Sequence, residues 1–142
     1  MTSKNSDAST NVIFVVDDDA YFNRLLTAMA ERISERIGLN PEIHSFQSGR
    51  ECMEQLDKSP SLLLLDFYLD TRNDITSTAY DLLHDIHEQV PDAYILLISQ
   101  QEDWSLFRDD LIAAGANDFL HKGKDLESRL EQIMNNVLVN QG

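Results

Sequence analysis

The chain has 142 residues, 42% apolar and 25% charged, with five glycines and three prolines; this is the size and make-up of one globular domain and excludes collagen-like, Pro-rich and wholly disordered chains. Eleven basic residues against 25 acidic ones leave a formal charge of −14, which argues against direct nucleic-acid binding or attachment to an anionic membrane. No apolar run approaches the roughly 20 residues that span a bilayer, the start MTSKNSDASTN has no apolar signal core, and Cys52 is the single cysteine, so the expected setting is reducing and cytoplasmic.

Residues 1–11 are polar and aperiodic and are expected to form a flexible leader, with one domain over 12–140 and no output domain. Beyond the leader, short apolar runs alternate with stretches whose apolar residues recur at helical spacing. That is the pattern of parallel strands buried on both faces by crossover helices. The first strand is VIFVV at 12–16, and the helix after it carries Phe22, Leu25, Leu26, Met29, Ile33 and Ile37 inward, closed by Gly38 in a left-handed cap. A short strand is predicted around Glu42 to Phe46. Ser48 and Gly49 then open a helix that presents Cys52, Met53 and Leu56 inward and stops at Ser59 and Pro60. The third strand runs from Leu62 to Leu65 and ends at Asp66. An irregular stretch, DTRNDITST, separates it from a helix with Leu82, Leu83, Ile86 and Val90, ended by Pro91. The fourth strand, Tyr94 to Ile98, leads to a helix with Leu106, Phe107, Leu111 and Ile112, stopped by Gly115. A short strand around Asp118 to His121 and a helix with Leu126, Leu130, Ile133, Met134 and Val137 complete five βα units.

In an open parallel sheet, ligands bind beyond the carboxyl ends of the strands. The residues standing there are Asp17, Asp18 and Asp19 after the first strand, Asp66 after the third, Ser99 after the fourth and Lys122 after the fifth. An acidic triplet alone says little, because about one is expected by chance in a chain this acidic. Its position says more. Adjacent carboxylates at a strand end repel by roughly 4 kcal/mol at 4 Å for an effective dielectric near 20, so a cation is expected to compensate. Asp19, nearest the helix, has a ready duty as N-cap, which leaves Asp17 and Asp18. Carboxylate oxygens suit Mg²⁺ or Mn²⁺, and one cysteine with scattered histidines offers no structural zinc site. Asp66 is then a third ligand or a nucleophile that forms an acyl phosphate, with Ser99 and Lys122 holding phosphoryl oxygens.

The segments VVDDD at 15–19, LLLLDF at 62–67, LLIS at 96–99 and GANDFLHKG at 115–123 occur in an order and spacing that resemble the receiver domain of two-component response regulators, over residues 11–140. The resemblance implies a flavodoxin-like (βα)5 three-layer α/β sandwich with a five-stranded parallel sheet in the order 2-1-3-4-5. It also implies that Asp17 and Asp18 are the metal-binding acid pair, Asp66 the phosphoacceptor and a third metal ligand, and Tyr68 the donor of a backbone carbonyl to the metal. Ser99 becomes the switch hydroxyl, Lys122 the partner of the phosphoryl group, and Phe119 the switch aromatic, one without a hydroxyl. The implied function is phosphorelay signalling: a histidine kinase or phosphotransfer protein donates to Asp66 in a Mg²⁺-dependent reaction, and a downstream protein reads a face spanning about residues 102–140. Three departures stand out. Asp70 and Gly123 occupy places where the family prefers proline, and Gln100 one where it favours a small residue.

Two other readings fit parts of the sequence. Asp17-x-Asp19 also satisfies the nucleophile motif of haloacid-dehalogenase-type phosphohydrolases, with Asp17 as nucleophile, although the acidic pair that family needs after its lysine is poorly matched by Asp125 and Glu127. A phosphorylation-independent adaptor of the same fold is the other. Among remaining residues, His84 and His87 read as solvated helix histidines, Cys52 as structural, and Trp104 as either an exposed anchor or a partly buried core residue.

Overall fold

Each apolar run becomes a strand where the sequence predicts one. The computed structural model describes residues 11–67, 77–100 and 103–139. In chain order its elements are β1 (Val12–Val16), α1 (Ala20–Arg36), β2 (Glu42–Phe46), α2 (Gly49–Glu54) with a single 3-10 turn at Leu56–Lys58, β3 (Leu62–Asp66), α3 (Ser77–Gln89), β4 (Tyr94–Ser99), α4 (Arg108–Ala114), β5 (Asp118–His121) and α5 (Leu126–Met134), which runs on into a π-turn at Asn135–Val139. The strands form one parallel sheet in the order β2-β1-β3-β4-β5.

Alternation along the strands sorts the core into two layers. Ile13, Val15, Leu62, Leu64, Leu96 and Ile98 point to one face, where Leu26, Ile33, Leu130 and Met134 of α1 and α5 cover them. Phe14, Val16, Leu63, Leu65, Ile95 and Leu97 point to the other, against Cys52, Leu83, Ile86 and Leu111 of α2, α3 and α4. This is the expected three-layer sandwich. Chain reversal between β2 and β3 on either side of β1 opens a crevice at the carboxyl ends of β1 and β3.

Helix ends follow local chemistry. The Asp19 side chain accepts from the Tyr21 and Phe22 amides, and Ser48 accepts from Glu51, so both predicted caps form. Gly38 has φ +81°, and Gly115 has φ +127° with its α-carbon so close to His87 that a Cβ there would lie 2.5 Å from the His87 Cβ. The α3–α4 packing therefore requires glycine at 115 for both conformation and space.

Three residues expected inward face solvent. Leu25 is 37% exposed because the buried stripe of α1 runs through Leu26, Met29, Ala30 and Ile33, one residue and about 100° of rotation away. Leu106 (81% exposed) precedes α4, which starts only at Arg108, and Ile112 (45%) stands one residue beyond Leu111, the fully buried position of that two-turn helix. Trp104 takes the buried place instead.

Cys52 is fully buried, and burial alone pushes its thiol up to about 12. The thiolate is the reactive form, so iodoacetamide at pH 8 is expected to leave the folded protein unmodified and to alkylate it stoichiometrically in denaturant. Rapid native alkylation, followed by intact mass, would contradict this packing.

Candidate functional site

The crevice collects residues from four strand ends. Asp17 follows β1 and is buried, held by its own amide donating to Phe46 O (3.0 Å) and by Asn23, whose side-chain amide donates to Asp17 O (3.0 Å) and Phe46 O (2.8 Å). The Asp19 amide donates to Asp17 Oδ1 at 2.9 Å. Asn23 thus knots the ends of β1 and β2 together and fixes the turn that aims Asp17. No part of the predicted site includes it; the available signal is a polar residue three before Leu26 on an otherwise apolar stripe.

Asp66 ends β3, half-buried, and Lys122 reaches it from the end of β5. Lys122 Nζ lies 2.8 Å from Asp66 Oδ1 and 3.4 Å from Asp17 Oδ2, with a side chain only 9% exposed. The Lys122 amide donates to Ser99 O at 2.8 Å, which ties this lysine to the strand that carries the buried Ser99. Phe119, two strand positions before His121, is buried in the layer beneath α2–α4, with its ring 4.8 Å from Trp104 and the Arg108 guanidinium 5.0 Å above it. Tyr68, Asp70 and the loop around them lie outside the described residues, as do both ends of the 102–140 face.

Burial pushes the carboxyls of Asp17 and Asp66 above the usual aspartate range, and the Lys122 contact offsets that only in part. Burial works against the Lys122 charge, but its contacts with Asp66 and Asp17 outweigh this and raise it. One ammonium among three carboxylates leaves the crevice with excess negative charge in a partly desolvated place. Oxygens of Asp17, Asp18 and Asp66 lie within 4.8 Å of one another, a spread that a cation with ligands at about 2.1 Å can gather with little movement. This hard oxygen set fits a divalent ion such as Mg²⁺. His84 groups with Asp85 and Glu88 on the exposed side of α3 and not with His87, which packs on Gly115.

Millimolar Mg²⁺ is expected to raise the unfolding temperature by several degrees, since a ligand at 100 times its Kd stabilises by about 2.7 kcal/mol. EDTA reverses the shift and Asp17→Asn removes it in differential scanning fluorimetry. An equal shift in Asp17→Asn would place the ion elsewhere.

Comparison with known proteins adds the family. Residues 13–134 match the response regulator receiver domain model. Over 112 residues, 78% of the chain, it is 31% identical to a protein-glutamate methylesterase/protein-glutamine glutaminase of Geobacter sulfurreducens, and it spans about a quarter (27%) of that relative's length. Among solved structures it resembles a response regulator from Thermotoga maritima, with a TM-score of 0.68 at 21% identity covering 91% of this chain and 98% of that one. A LuxR-family two-component response regulator from Aurantimonas gives a TM-score of 0.70 at 19% identity, covering 94% and 88%. No helix among the described residues is long and apolar enough to cross a membrane.

Proposed function

The chain belongs to the response regulator receiver domain family, and we propose that it serves phosphorelay signalling rather than acting as a conventional enzyme, that residues 12–140 form its receiver domain and that Asp66 accepts the phosphoryl group. The observation that carries this reading is the 2.8 Å contact between Lys122 Nζ and Asp66 Oδ1 beside the Asp17–Asp18 pair. A carboxylate oxygen of Asp66 attacks phosphorus, the bond from phosphorus to the donor breaks, and the donor leaves with that electron pair. Asp17, Asp18 and Asp66, with the Tyr68 carbonyl, would hold Mg²⁺ (or Mn²⁺), which would supply positive charge to the transferring oxygens. Lys122 pairs with the phosphoryl group once it has left its carboxylate partner.

The new group adds charge and acceptor oxygens beside the end of β4. Ser99 hydrogen-bonds to it, and Phe119 follows into the space vacated, held by packing alone. A histidine kinase or phosphotransfer protein is the donor, the cytoplasm is the setting, and a downstream protein reads the face spanning about residues 102–140. In the alternative hydrolase reading, Asp17 would be the nucleophile of the Asp17-x-Asp19 motif, but Asp19 is occupied capping α1.

The test is intact mass after incubation with acetyl phosphate and Mg²⁺, with peptide mapping of the adduct. One hydroxylamine-labile phosphoryl group on Asp66 supports the proposal. An adduct on Asp17 would support the hydrolase, and no adduct with no beryllofluoride binding would leave a phosphorylation-independent adaptor.

A further inference from the structure

Lys122 has a third neighbour that carries no charge. Its Nζ sits 4.0 Å from the centroid of the Phe22 ring, in the first turn of α1, while Asp66 and Asp17 approach the same ammonium at 2.8 and 3.4 Å. We propose that Phe22 is a positioning residue for Lys122: its ring face holds the ammonium at the mouth of the crevice, between the carboxylates, during phosphoryl uptake. The inference rests on the reading of Asp66 as phosphoacceptor.

The argument is one of competing partners. A lysine side chain has a long flexible stem and three donors, so ordering it beside a reaction centre costs rotamer freedom. Two of its three supports are carboxylates whose oxygens are also wanted by a metal ion and, at Asp66, by the transferring phosphorus. As they change partners, their hold on Lys122 changes. The ring's negative face has no such competing partner: it attracts a cation without offering a lone pair that the metal or phosphorus could take. The backbone secures the arrangement from both sides. Phe22 N donates to the Asp19 cap at 3.4 Å, and the Lys122 amide is pinned to Ser99 O at 2.8 Å, so ring and ammonium are each anchored close to their meeting point. Phe22 is half-buried against the α1–α5 layer, so the cation meets the ring where water is partly excluded and the attraction is stronger than at an open surface.

The experiment keeps the ring's shape and drains its face. Phenylalanine at position 22 is replaced by its mono-, di- and trifluorinated analogues, and phosphoryl uptake from acetyl phosphate with Mg²⁺ is followed by intact mass. Initial rates are expected to fall stepwise with fluorination, by about two- to thirty-fold in all, the range set by cation–π strengths. Phe22→Leu is expected to match the slow end of the series, and Phe22→Tyr to restore what Leu loses. A flat rate across the analogues, or equal rates for Leu and Tyr, would overturn the inference, because a ring that only fills space does not respond to its own electron density. Lys122 side-chain proton shifts judge placement without any phosphoryl transfer: ring current moves them upfield in the wild type and not in Phe22→Leu, and their failure to differ also overturns it. A wild type that takes up no phosphoryl group instead overturns the reading of Asp66, so the two failures are told apart.

Discussion

Asp66→Asn is expected to abolish phosphoryl uptake from acetyl phosphate, with no adduct visible by intact mass under conditions that fully modify the wild type. The substitution keeps the shape of the side chain at the end of β3 and removes the anionic oxygen that attacks. Two of the neighbouring acids are already engaged. Asp17 is buried, with one carboxylate oxygen taking the Asp19 amide at 2.9 Å and the other facing Lys122 at 3.4 Å, and Asp19 is committed to the start of α1. The pH dependence follows from the same contacts. Burial raises the Asp66 carboxyl above an ordinary aspartate, so as pH falls the nucleophilic anion is lost earlier than it would be for a solvated side chain. In the Mg²⁺-free protein the Asp66 carboxyl is therefore expected to titrate above the usual aspartate range when followed by carboxyl carbon shifts in NMR, and Mg²⁺, which favours the anion, is expected to move that titration lower. Asp17→Asn retains the nucleophile but is expected to need much more Mg²⁺ for the same rate. An adduct that persists in Asp66→Asn and vanishes in Asp17→Asn would transfer the chemistry to β1.

Which of these features can be read from residues alone depends on how local their cause is. The strands are legible because a continuous apolar run bounded by polar residues has one stable use in a parallel sheet, and Val12–Val16 and Asp118–His121 fall where the pattern puts them. The acid pair, Asp66, Ser99 and Lys122 are legible as a set because each directly follows or ends a strand, and the sheet order brings those ends together. Helix faces are harder. α4 is only two turns long, too short for a periodicity to declare itself, so Leu106 and Ile112 read as core while Trp104 does the covering. Contacts that join distant parts of the chain through an unremarkable residue type leave no local trace. Asn23 bridging two strand ends and Phe22 beneath Lys122 are of this kind: each sits on an amphipathic helix where its type admits a plain surface or core explanation.

Phe14→Ala is expected to cost about 3–5 kcal/mol, the largest single-residue loss of stability in the domain. Phe14 is fully buried in β1, the strand that pairs with both β2 and β3, and its ring meets Phe46 edge-on at 4.8 Å and His44 at 5.9 Å. Truncation removes both the transfer free energy of the ring and the partners of its neighbours. Leu63, Leu65 and Cys52 belong to the same packed layer, and strands hydrogen-bonded on both edges have little freedom to close the gap. Against a typical total of about 5–15 kcal/mol, the variant is left marginal. Urea unfolding should show the midpoint falling with an unchanged slope. The exposed Leu106→Ala provides the contrast, with a change within about 0.5 kcal/mol. A loss below about 1 kcal/mol for Phe14→Ala would mean that α2 and α3 move in to fill the space. The same strand runs through Val16 directly into Asp17, so loosening β1 also frees the turn that aims this carboxylate, and the Mg²⁺-induced rise in unfolding temperature is expected to shrink in Phe14→Ala although the residue touches no ligand. Stability and site are joined here by a single strand, and measuring both in one variant separates a core that merely fills volume from one that also holds the acid pair in place.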